Sequence, residues 1–207
     1  MIKILLLIDY SSEFDRKLLR GLVQYSKENG PWLFYRLPSY YSAMYGEQGI
    51  LKWAKEWKAD AIIGQWNNDT IDLQKELNIP VVLQNYHHRS VTYSNLTGDY
   101  KGTGRMAAQF FAKRMFRNFA YFGVKGVVWS DERSQGYRQE VKRMGGEYFS
   151  FESDKQEDEI RMEVSQWLQK LPKPVALFCC DDAHALFISE TCKMTNIPIP
   201  EEIALLG

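Results

Sequence analysis

Arg133 and a scatter of carboxylates are the side chains in this chain best suited to hold a small polyhydroxyl molecule. A guanidinium fork or a carboxylate can each take a pair of vicinal hydroxyls through charge-assisted hydrogen bonds, while an aromatic ring covers an apolar C–H face. The groups on offer are Asp15, Asn67, Asp99, Arg133 and Asp181, with Tyr10, Phe14 and Trp66 as rings. Asp99 with Asp181 also admits a general acid–base reading. Asp99 and Asp182 each precede a helix that they can cap, which is compatible with ligand contact by a neighbour in the same turn.

Chemistries that need a fixed spacing find little support. Gly102-Thr103-Gly104-Arg105-Met106-Ala107 has the spacing of a dinucleotide turn. However, Asp99 stands where phosphate must approach, and the next strand ends at Val124-Lys125 with no acid for a ribose. Tight packing of a helix start on small residues is the better expectation. A phosphoacceptor domain needs Asp after the third strand, where this chain has Gln65-Trp66. Adjacent His87 and His88 seldom converge on one ion. His184 follows Asp181-Asp182 with no Cys or His at a ligand spacing, so neither a metal nor a nucleophile is expected there. No Gly-x-Ser-x-Gly elbow or phosphate-binding loop occurs. The expectation is a binding protein without cofactor or metal.

These groups sit on an alternation of strands and helices. Apolar runs at 4–8, 32–37, 61–64 and 81–84 predict four strands. Helices separate them: one beginning after Ser11-Ser12 with Phe14, Leu18 and Leu22 on its apolar face, one about 49–57, and one about 70–77. Residues 86–93 are polar and irregular. The alternation then restarts, with helices about 100–115, 132–143, 156–171 and 182–194 and strands at 119–124, 147–151, 175–180 and 203–207. Two successive parallel α/β lobes follow, 1–94 and 95–207. In such sheets ligands lie beyond the carboxyl ends of the strands, which is where the polar groups above fall.

Bulk properties set outer limits. Lys+Arg and Asp+Glu both number 26, so the formal net charge is zero. A domain that grips nucleic acid by phosphate neutralisation carries a basic excess. Cys179, Cys180 and Cys192 form no even framework, and adjacent Cys179 and Cys180 alternate to opposite faces of a strand, as suits reduced thiols in a cytoplasmic protein. The apolar opening ends at Asp9, too soon to cross a bilayer, and lacks a small-residue cleavage site. It is expected to be a buried parallel strand.

Three stretches carry a resemblance. They are 14–22 (FDRKLLRGL); 98–104 (GDYKGTG) running on through Ala107-Ala108-Gln109-Phe110-Phe111, 119–123 and Arg133-Ser134-Gln135-Gly136-Tyr137; and 176–185 (ALFCCDDAHA) followed by 197–201 and 203–207. In order and spacing the chain resembles, over essentially its whole length, the sensor domain of lactose-repressor-type regulators and periplasmic sugar-binding proteins, and within them xylose-responsive activators. The resemblance implies two Rossmann-like lobes of the type I periplasmic-binding-protein class. A small sugar, a pentose such as xylose, would sit in the cleft between them, and lobe closure would signal to a DNA-binding domain. It further implies an AraC-type domain beyond 207, returning strands of the first lobe also beyond 207, and a possible homodimer. On the motif positions it implies ligand contacts from Arg133, Asp181 and Asp99 and from the first-lobe loop residues Ser12, Phe14 and Asp15, beside Trp66 and Asn67 read from the strand end. A transporter's solute-binding protein and a sugar- or nucleotide-processing α/β enzyme stand as alternatives.

Overall fold

The computed structural model of the chain describes residues 1–8, 13–37, 39–66, 71–85 and 87–207, the side chains at 39, 40, 42 and 43 excepted. It forms two compact units, Met1–Thr97 and Gly98–Gly207, and each is described by itself.

In the first unit β1 (Ile2–Leu7), α1 (Glu13–Asn29), β2 (Trp32–Arg36), α2 (Ser39–Trp57), β3 (Ala61–Gly64), α3 (Leu73–Leu77), β4 (Val81–Leu83) and β5 (Ser94–Asn95) follow one another. The sheet order is β2-β1-β3-β4-β5, with every paired neighbour parallel. Alternate residues of β1 serve opposite faces. Leu5 joins Ile62, Val81 and Leu83 against α2 and α3, whereas Ile4 and Leu6 pack with Leu18, Leu19 and Leu22 of α1. Two expectations change. Ser94–Asn95, expected at the junction of the lobes, instead form the edge strand beside β4. The second helix begins ten residues before the expected Gly49, because Gly46 (φ 62°, ψ −169°) joins two shorter helices through a kink that the pattern hides.

The second unit runs α4 (Tyr100–Ala112), β6 (Asn118–Val124), α5 (Val128–Arg143), β7 (Glu147–Ser153), α6 (Glu157–Lys170), β8 (Val175–Cys179), α7 (Asp182–Met194) and β9 (Ile203–Leu206). Its parallel sheet has the order β7-β6-β8-β9. Chain direction across the sheet reverses around β6, so the switch point lies between the ends of β6 and β8. Both strands are buried on both faces, as parallel strands with helices on each side must be. Ala120, Phe122, Leu177 and Cys179 face α6 and α7 with Val164, Leu168 and Ile188. Phe119, Tyr121, Phe178 and Cys180 face α4 and α5 with Tyr137 and Val141. Each large side chain buried here contributes about 1.5–3 kcal/mol. All three cysteines are free and buried, and Cys179 and Cys180 do take opposite faces.

The two fully buried tyrosines on the α4/α5 side bring their hydroxyls with them and satisfy them. Tyr121 Oη donates to the Ser130 carbonyl at 2.8 Å, and Tyr137 Oη donates to the Ala176 carbonyl at 3.1 Å.

Helices α4 and α5 lie almost backbone to backbone. A Cβ on Gly104 would stand 2.1 Å from the Arg133 carbonyl oxygen, and one on Gly136 would stand 2.1 Å from that of Lys101. Gly104 therefore serves close helix packing, the better expectation for the Gly102–Gly104 pattern, while Gly102 makes room for the Asp99 cap. No helix among the described residues is long and apolar enough to cross a membrane.

Candidate ligand-binding site

The switch point of the second unit gathers an arginine, two aspartates, a histidine and a cysteine. Asp181 lies two residues past the end of β8 and caps α7, its Oδ1 accepting from the backbone N–H of His184 at 2.9 Å. The same oxygen lies 2.7 Å from His184 Nδ1. Burial works to raise the Asp181 pKa, but the side-chain and backbone hydrogen bonds from His184 outweigh it, with Arg133 assisting, and hold the carboxyl below its ordinary range. For His184, burial works to lower the pKa. Hydrogen bonds to the Asp181 and Cys180 side chains outweigh that, and the imidazole is pushed up to about 10.

Arg133 reaches the same strand end from α5. Its Nη1 donates to the Cys180 carbonyl. Its guanidinium lies 5.4 Å from the Tyr100 ring centroid and 5.5 Å from that of Trp129, within cation–π range of both. Nε is buried with no hydrogen-bond partner among the described residues. A buried charged donor left unmatched costs free energy, so at this nitrogen the Arg133 arrangement asks for another group. Arg133, Asp181, Cys180, Asp182 and Thr103 line a pocket of about 180 Å³. That is below the span of ordinary ligand pockets, about 300–1,000 Å³, and has room for one end of a small molecule.

Asp99 caps α4, its Oδ1 accepting from Gly102 N–H at 2.8 Å while its carbonyl accepts from Thr103 Oγ1 at 3.0 Å. It does not line the Arg133 pocket. In this unit, then, Arg133 and Asp181 come together and Asp99 does structural work.

The first unit distributes its predicted residues differently. Ser12 and Asn67 lie outside the described residues. Asp15, on the first turn of α1, is fully buried, whereas Phe14 beside it is 44% exposed. The expected apolar face of α1 thus begins at Leu18. Trp66 is 5% exposed and belongs to the core under α2 and α3. Asn85 brackets its backbone, Nδ2 donating to the Trp66 carbonyl at 2.9 Å and Oδ1 accepting from its N–H at 3.0 Å. The ring is therefore a fixed wall, not an open platform. With Asn85, His88, Ser90, Thr92 and Tyr93 it lines a pocket of about 330 Å³.

Three sets of residues at strand ends combine in ways that the sequence reading did not assign. Gln65 Nε2 and Gln84 Oε1, at the ends of β3 and β4, are buried without a hydrogen-bond partner among the described residues. Their position at parallel strand ends was the available signal. The third set is Cys180, Asp181 and His184, whose potential ligand atoms all lie within 4.8 Å of one another. His184, expected to lack a Cys or His at a ligand spacing, stands close to the Cys180 thiol and the Asp181 carboxylate. The partners are a non-histidine pair on the preceding strand end, not the spaced Cys or His of the usual pattern.

Known proteins resemble this chain in fold and, more weakly, in sequence. The model of the periplasmic binding protein-like domain family matches residues 108–207. The xylose operon regulatory protein of Escherichia coli (strain K12) is 22% identical over 218 residues, covering 99% of this chain and 54% of that protein. Its counterpart in Haemophilus influenzae is 21% identical with the same coverage. The chain spans about half the length of the curated relatives it matches. Among solved structures, a xylose-binding transcription activator superposes with a TM-score of 0.77 at 19% identity, over 99% of this chain and 53% of that one. A periplasmic solute-binding protein of an ABC transporter from Actinobacillus succinogenes, with bound D-allose, superposes with a TM-score of 0.72 at 15% identity, over 99% and 77%. The fold class is α/β, two parallel-sheet lobes of periplasmic-binding-protein-like type. The matched proteins are transcription regulators and sugar-binding proteins, not enzymes.

Proposed function

We propose that the chain is the effector-sensing part of a sugar-responsive transcription regulator, and that its effector is a small neutral sugar, a pentose such as xylose. Arg133 carries the reading. It is a guanidinium anchored to a strand end by one nitrogen, flanked by two rings, with a buried donor still unmatched and a capped carboxylate in the same small pocket. A sugar hydroxyl oxygen can accept from Nε while neighbouring hydroxyls donate to Asp181. The similarity to xylose operon regulators supports the choice of a pentose.

In this reading the sugar is held between the two units. Arg133 and Asp181 contribute from the second, with Asp99 beside them as a cap. Ser12, Phe14, Asp15, Trp66 and Asn67, joined by Gln65 and Gln84, contribute from the first. Sugar binds the closed arrangement more tightly than the open one, and that difference in affinity sets how far the equilibrium shifts. An AraC-type DNA-binding domain outside residues 1–207, a homodimer and a cytoplasmic setting complete the proposal.

The test is calorimetric titration with D-xylose, and with D-ribose and D-allose for comparison, on the wild type and on Arg133→Ala. Loss of charge-assisted bonds worth about 1.5–3 kcal/mol predicts at least tenfold weaker binding of the preferred sugar. Wild-type affinity in Arg133→Ala overturns the assignment of the site. Absence of binding to any of the three sugars overturns the choice of ligand class.

A further inference from the structure

The end of β8 presents a second set of donors beside the Arg133 pocket. Cys180, Asp181 and His184 offer a thiol, a carboxylate and an imidazole, and one ligating atom from each lies within 4.8 Å of the other two. The local fold imposes this. Cys180 is the first residue after β8, Asp181 is the cap of α7, and His184 stands three residues on, where the first helical turn brings it back over the cap. The imidazole is held in place by Asp181 Oδ1 at 2.7 Å and by the Phe122 ring, whose centroid is 6.0 Å away.

Donor type decides which ion such a set would take. Calcium and magnesium prefer shells made wholly of oxygen. A thiolate, an imidazole and a carboxylate on three corners of a tetrahedron suit zinc and its borderline-soft neighbours, with the fourth corner left to water. Cys180 and Asp181 also line the 180 Å³ pocket. The pocket supplies an entry path and the space for that water.

We propose that Cys180, Asp181 and His184 form a binding site for a zinc-class dication, with its fourth position open to the pocket. On binding, the Cys180 thiol proton leaves to solvent and a sulfur–metal bond forms. His184 coordinates through a ring nitrogen as the neutral base, releasing any proton it carries, and no oxidation state changes. Arg133 is no obstacle. The thiolate and carboxylate together cancel the charge of the dication, so the neighbouring guanidinium faces a neutral cluster. The site stands whether or not a sugar occupies the Arg133 pocket.

Cobalt(II), a spectroscopic substitute for zinc, tests this in the metal-free 207-residue chain. One equivalent is expected to bind, with the visible bands of a tetrahedral ion and a near-ultraviolet thiolate-to-cobalt charge-transfer band, both lost on adding zinc. Cys180→Ser should abolish the charge-transfer band and weaken binding by at least about tenfold, and His184→Gln should weaken it as much while keeping the band. Cys192→Ser, which alters a thiol in the core between α6 and α7, should change neither. Circular dichroism verifies that each variant is folded. Should Cys180→Ser fail to fold, the wild-type spectrum and His184→Gln decide the matter. A wild-type chain without the charge-transfer band, or unchanged cobalt affinity in folded Cys180→Ser or His184→Gln, overturns the proposal.

Discussion

Arg133 and Asp99 look alike in a list of polar residues near strand ends, and the structure gives them different work. Asp99 spends its carboxylate on Gly102 N–H at the start of α4. Removing such a cap costs about 1 kcal/mol. Asp99→Ala is therefore expected to lower the chemical-denaturation midpoint by about that free energy while weakening sugar binding far less than Arg133→Ala does. The two effects are separable by measuring stability and titration heats on the same samples. This difference was only partly legible beforehand. Residue type and a position after a strand mark both as candidates, and the capping alternative is visible from the helix that follows Asp99. What no spacing reveals is that Arg133 bonds a carbonyl 47 residues away and leaves Nε unmatched. Nor does spacing show that Trp66 turns inward to the core. Those are consequences of which strands become neighbours.

At the scale of elements, the pairing of α4 with α5 sets where Arg133 points, since its carbonyl is what Gly104 packs against. Gly136→Ala gains about 1 kcal/mol of helix propensity but forces a methyl to within 2.1 Å of the Lys101 carbonyl, and overpacking of this kind costs about 1–3 kcal/mol. The net effect expected is destabilisation, read as a lower melting temperature. A polar tie joins the same helices. Glu140 of α5, nearly buried, accepts from Gln109 of α4 at 2.7 Å and from Arg143 at 2.7 and 2.9 Å. Those bonds, Arg143 foremost, lower the Glu140 pKa to about 2. A carboxyl lowered on folding stabilises the native state above its unfolded value, near 4.5, and that contribution is lost as pH falls from there through about 2. Glu140→Gln should therefore flatten the loss of stability between pH 4.5 and 2 in acid-unfolding curves.

Strand–helix alternation was readable because parallel strands are short apolar runs and the helices carry a 3.6-residue stripe. Helix starts without a capping side chain were not. α5 begins at Val128, four residues ahead of expectation, and its cap residue Val127 makes no side-chain bond. The strand β5, two polar residues long, carries no hydrophobic signal at all.

At the scale of the whole molecule, each unit owns its sheet and its core. The doubly buried strands β6 and β8 make the second unit one in which the sheet is sealed on both faces. Sealing has an optical consequence. Burial, more than any other influence, raises the pKa of Tyr121 and Tyr137 well above the ordinary 10. Neutral phenol is favoured in the native state, an advantage fully present below pH 10 and lost as the pH climbs beyond it. In a spectrophotometric titration these two of the 12 tyrosines should stay silent until the second unit opens. Their late, cooperative absorbance step would then serve as a built-in colour signal for the melting of that one unit, with no label attached.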